Sequence, residues 1–140
     1  MGLFRKTPKP KPSVVTSIGT FRFSRGYWVA TCESNAGPIE VVSGPELELQ
    51  RLPEIEALLK DTVAVVQRAF AFAALQAPWL SGHGAPELEQ AVLSPPASKS
   101  DSDSGTLGSV RLDIAMEIGN VAVMVWLQDG VPVEAESEHV

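Results

Sequence analysis

From Val110 to Ile118 the chain carries an apolar residue at every second position: Val110, Leu112, Ile114, Met116 and Ile118. An extended strand is the structure that sorts side chains with a period of two, apolar to one face and polar to the other. The opposite parity holds Arg111, Asp113, Ala115 and Glu117. Gly119-Asn120 then supplies a two-residue hairpin turn. Val121, Val123, Val125 and Leu127 line one face of the returning strand, with Met124 and Trp126 on the other. A hairpin of this kind must bury its valine face against the rest of the chain. Its second face is expected to lie under a loop or a partner, because a fully wet face has no need of Met124 and Trp126.

The first half supplies further strands. Residues 16–24 alternate, with Phe21 and Phe23 on the inward parity. Ser24-Arg25-Gly26 is turn chemistry. Tyr27 to Glu33 is rich in aromatic and β-branched residues and reads as a strand. Ile39 to Val42 makes a third, and tight connections imply an antiparallel meander. Pro53 is suited to the first turn of a helix, and the spacing of Ile55, Leu58, Leu59, Thr62, Val63, Val66, Phe70 and Ala73 predicts one long helix to about Leu75. Residues 86–93 read as two further helical turns, and Val131 to Glu134 as a short edge strand. The order β-β-β-α-(α)-β-β predicts an α+β fold: an antiparallel sheet of about five strands with one long helix packed on one face.

The chain has 140 residues, enough for a single domain with its own core. We place that domain at residues 14–134. Residues 1–13, with Pro8, Pro10 and Pro12 between lysines, are expected to form a basic extended tail. Residues 94–107, SPPASKSDSDSGTL, are polar and low in complexity and are expected to form a disordered insert. Residues 135–140 are expected to form an acidic tail. Arg5, Lys6, Lys9 and Lys11 stand at the N-terminus of a chain whose net charge is −6, so the body is more acidic than that figure suggests. Such a body repels nucleic-acid phosphates and favours a basic protein partner. Cys32 is the single cysteine, which suits a reducing compartment. No apolar run reaches the length of a membrane span, and the N-terminus lacks signal-peptide character. These features predict a cytoplasmic protein.

No catalytic, cofactor or metal motif emerges. His83 and His139 lie in expected loops or tails, far from metal-ligand spacing. Asp101-Ser-Asp103-Ser-Gly105 departs from a calcium loop, with Leu112 where the closing carboxylate belongs. Asp113 and Glu117, four residues apart in a strand, are roughly 13 Å apart, too far for a paired-carboxylate mechanism. Cys32 reads as a small apolar strand residue. The aromatic residues attract more interest. Tyr27 and Trp28 are adjacent and must point to opposite faces of a strand. Trp79 follows the long helix. Tyr27, Trp28, Trp79, Met124 and Trp126 are therefore the candidate partner-binding residues, since such side chains anchor interfaces as well as cores.

Four segments together resemble the DUF2262/DUF6985-like bacterial domains of unknown function: Ile18-Gly-Thr-Phe-Arg-Phe23, Gly26-Tyr27-Trp28, the helix ending near Trp79, and the hairpin from Val110 to Leu127. Leu127-Gln128-Asp129-Gly130 stands where the aromatic-Gly-His element of those domains would fall. The resemblance implies a small α+β domain without assigned catalytic residues, of a kind found near toxin–immunity gene clusters. The expectation is a non-catalytic protein-binding module, of the immunity or adaptor type, with a basic protein partner. Two alternatives stay open. One is a self-associating structural domain that forms a homodimer through the Met124/Trp126 face. The other is a small-ligand binder or enzyme with loop 76–107 as a lid.

Overall fold

A computed structural model describes residues 12–93, 110–118 and 120–139. Its strands are β1 (Ser13–Thr16), β2 (Gly19–Ser24), β3 (Tyr27–Ser34), β4 (Gly37–Ser43), β5 (Pro86–Val92), β6 (Val110–Met116), β7 (Val121–Gln128) and β8 (Val131–His139). Two helices, α1 (Leu52–Lys60) and α2 (Thr62–Gln76), lie between β4 and β5. All eight strands form one sheet in chain order. Neighbours are antiparallel except β4 and β5, which pair in parallel. The parallel pair requires a long crossover, and the helices provide it.

This architecture corrects the expected antiparallel sheet of about five strands with one long helix. The sheet has eight strands and is mixed, and the helix is two. The break falls at Asp61, which ends α1 and precedes α2. The β3–β4 turn holds it: Asn35 donates its backbone N–H to the Leu59 carbonyl at 3.0 Å, and its side-chain oxygen accepts from the Val63 N–H at 3.2 Å. Thr62 Oγ1 donates back to the Leu58 carbonyl at 2.8 Å. Apolar burial continues through the break, from Ile55, Leu58 and Leu59 to Val65, Val66, Ala69 and Ala73. Hydrophobic spacing therefore could not reveal it.

The extra strands have equally local causes. Residues 16–24 divide into β1 and β2 around a turn at Ser17-Ile18, where Thr16 Oγ1 donates to the Gly19 carbonyl at 2.6 Å. The segment read as two helical turns, residues 86–93, is β5. Its register against β6 shifts between Leu88 and Gln90. That bulge inserts Glu89 and brings Leu88 and Ala91 to one face at a helix-like spacing of three. The expected acidic tail is the outer part of β8, which pairs with β7 along its length. Residues 1–11 of the expected basic tail, and the expected insert at 94–107, lie outside the described residues.

Both helices pack on the same face of the sheet. Phe21, Ala30, Cys32, Ile39, Val41, Leu88, Ala91, Leu112, Ile114, Val123 and Val125 join the helical residues in one core. Truncating one of its larger members, such as the fully buried Ile55, would cost about 2–5 kcal/mol. Ala135 and Ser137 face inward from β8 opposite Val125 and Val123; their small size admits α2. Arg51 closes the other end, where its guanidinium bonds the Leu93 carbonyl, Glu48 at 3.1 Å and Glu54 at 3.2 Å. No described helix is long and apolar enough to cross a membrane.

Candidate functional site

The strand residues of the other parity form the outer face of the sheet, away from both helices. Cross-strand register aligns them in rows. One row runs Ser13, Arg22, Val29, Val42, Val92, Arg111, Trp126, Glu134. The next runs Thr31, Glu40, Gln90, Asp113, Met124, Glu136. Glu138 stands opposite Ala122 in the row beyond. A column of three glutamates thus descends β8 on this face, beside Met124 and Trp126 on β7.

Arg111 and Asp113 share this face two residues apart on β6. The guanidinium meets the carboxylate through two nitrogens, at 2.8 and 3.0 Å. Both side chains are largely covered. Burial pushes the Asp113 carboxyl above its ordinary range, and the charge and hydrogen bond of Arg111 partly oppose the rise. Such a pair orients the polar centre of the face but adds little net stability, because desolvation offsets the attraction. Trp126 is only 1% exposed, and Met124 is half-buried.

The five candidate partner-binding residues do not form one patch. Trp28 turns to the core side, packs against the core and meets the Phe23 ring edge-to-face at 5.3 Å. Tyr27 is exposed at the start of β3, and its ring lies so close to Gly44 that no side chain fits there. Trp79 sits in the 3-10 turn after α2, 44% exposed, with the His83 ring edge-on at 5.4 Å and His83 Nδ1 3.1 Å from the Trp79 carbonyl. Met124 and Trp126 alone come together. Sequence reasoning passed over Glu134, Glu136 and Glu138 as members of the face. Their alternation with Ala135 and Ser137 was the available signal.

Other chemistry is less developed. Cys32 is 1% exposed, and burial pushes its thiol up, so it is a core residue and not a thiolate nucleophile. Among the described residues no three His, Cys, Asp or Glu side chains are grouped to hold a metal ion. A cleft of about 320 Å³ opens between the helices and the β7–β8 turn, with Leu58, Val65, Val110 and Leu127 at its apolar wall and Glu54, Asp61, Arg68 and Asp129 at its rim. No protein-family model, curated protein or solved structure matches the chain.

Proposed function

We propose that this chain is a non-catalytic protein-binding module, of the adaptor or immunity type, that captures a lysine- or arginine-rich segment of a partner on the outer face of its sheet. The observation that carries this reading is the placement of Glu134, Glu136 and Glu138 in one column beside Met124 and Trp126. Carboxylates attract and orient a basic chain, and the half-buried Met124 beside them offers apolar surface to its alkyl stems. The immunity-type reading adds the resemblance of the strand and hairpin segments to uncharacterised bacterial domains. A cytoplasmic setting fits the buried single thiol.

The small-ligand alternative is favoured by the cleft of about 320 Å³, at the lower end of the size of ligand pockets. It sits on the helix side of the sheet, remote in register from Met124, so the two readings use different surfaces. Titration of the full chain with a lysine-proline repeat peptide, followed by amide NMR, tests the protein-binding reading. Salt-sensitive shifts centred on Met124, Glu136 and Glu138, lost in the triple variant Glu134→Gln, Glu136→Gln, Glu138→Gln, are expected. Absence of shifts at those residues would overturn it.

A further inference from the structure

The residue before α2 is an aspartate that does not cap it. A carboxylate at that position ordinarily accepts from the free N–H groups of the first turn, yet the Asp61 side chain makes no such bond. Asn35 of the β3–β4 turn takes the Val63 N–H instead, at 3.2 Å. Asp61 lines the cleft between the helices and the β7–β8 turn. Two further charged side chains line the same cleft: Arg68, two turns along α2, and Asp129 of the β7–β8 turn. Among the described residues none of the three forms an ion pair, whereas Glu54 at the same rim is held by Arg51 at 3.2 Å.

Between these charges the cleft is apolar. Val110 and Leu127 are direct partners across the β6–β7 ladder, and they line the cleft together with Leu58 of α1 and Val65 of α2. All four belong to the hydrophobic core, so the floor of the cleft is an end of that core. Along α2 the order is Asp61, Val65, Arg68: acid, apolar, base. Spacings of four and three put all of them on one side of the helix, and from first to last the helix rises about 10.5 Å.

We propose that this cleft binds a small zwitterion with an apolar body, of the class of a free aliphatic α-amino acid. Its ammonium meets Asp61 and Asp129, its carboxylate meets the planar fork of Arg68, which can bond it through two nitrogens, and its side chain rests on Val65, Val110 and Leu127. A ligand with one charge would leave either the aspartates or the arginine unanswered. A volume of about 320 Å³ stands at the lower end of ligand pockets and suits a molecule of this size. The rim charges are exposed, so each ion pair is screened and modest. The apolar floor supplies most of the affinity, and the charges select the class of ligand and its orientation. The inference rests on the small-ligand reading of this cleft and is independent of the basic segment proposed for the outer face.

The test is an amide NMR titration of the isotope-labelled full chain with three probes of one apolar body. L-leucine carries both charges, isoamylamine lacks the carboxylate, and 4-methylpentanoate lacks the ammonium. Saturable shifts at Val65, Arg68, Leu127 and Gly130 are expected with leucine. Its Kd should lie about two- to five-fold below that of either analogue, as the loss of one exposed ion pair implies. Arg68→Gln should abolish the preference for leucine over isoamylamine. Asp129→Asn, which keeps a residue that tolerates the positive φ of that turn, should weaken leucine and isoamylamine and leave 4-methylpentanoate unchanged. Analogues that bind as tightly as leucine, or a preference that survives Arg68→Gln, would overturn the zwitterion and leave a cleft that takes apolar ligands. Absence of shifts at the lining residues with all three probes would overturn both.

Discussion

At Arg111 and Asp113, two opposite charges sit on the outer face between Val92 and Gln90 of β5 and Trp126 and Met124 of β7. The raised Asp113 carboxyl means that the fold holds its proton more firmly than the unfolded chain does. The sign follows from linkage. Below the unfolded carboxyl value of about 3.9, Asp113 is protonated in both states and costs nothing. As pH rises through the window between the unfolded and folded values, the unfolded chain ionises first and stability falls. Arg111 limits that loss. Replacing it by methionine keeps the packing beside Trp126 and removes the two influences that oppose the rise. The Asp113 carboxyl of Arg111→Met is therefore expected to titrate higher still, read by side-chain carboxyl NMR. The variant should lose about 1–3 kcal/mol near neutral pH, the cost of leaving a covered charge without its partner. It should lose much less near pH 3, where Asp113 is protonated. Equal destabilisation at both pH values in urea titrations would show that the pair does no electrostatic work.

At the scale of elements, what could be read from the residues depended on whether a signal was local. The β6–β7 hairpin was legible because Val110 to Met116 and Val121 to Val125 alternate, but the expected strand to Ile118 was too long. β6 ends at Met116, Ile118 is exposed, and the register pairs Ala115 with Ala122, which does not fit a two-residue turn at Gly119-Asn120. β5 was not legible, since the bulge at Glu89 broke its period. β8 was legible only in part: Val131 to Glu134 reads as an edge strand, which β8 begins as, but Glu136 and Glu138 look like a solvated tail unless their small neighbours are seen as an inner face. The candidate site suffered from the same misreading: Met124 and Trp126 were found, while the glutamates that complete their face were assigned elsewhere. The helix break at Asp61 depends on Asn35, a residue 28 positions from the N–H that it caps. No pattern within the helix could disclose it. Asn35→Ala removes that acceptor and should cost about 1 kcal/mol, as the loss of an N-cap side chain does. Asn35→Asp should retain most of the stability. Denaturant titration of the two variants decides the matter: equal losses would mean that the break is set within the helices and not by the β3–β4 turn.

For the whole molecule, a sheet of eight strands in chain order ends in two edges, β1 and β8. Edge strands offer free backbone groups to other copies, and proteins guard them with charge, proline or brevity. β1 is guarded by its length of four residues. β8 runs for nine, and its guards are Pro132 and the column Glu134, Glu136, Glu138. If two copies joined β8 to β8 in antiparallel register, the glutamates of both would lie on one outer face, with like charges opposite each other across the new ladder, which is destabilising. The same column therefore serves two ends, attracting a basic chain to the face and keeping a second copy from the edge. This argues against the homodimer alternative for the natural chain and predicts how to create one. Changing Glu134, Glu136 and Glu138 together to threonine preserves strand propensity while removing the repulsion. Sedimentation velocity should then show concentration-dependent dimers for the triple variant at neutral pH, where the natural chain stays monomeric. A monomeric triple variant would assign the guarding of this edge to Pro132 and the bulge at Trp126/Leu127 instead of to charge.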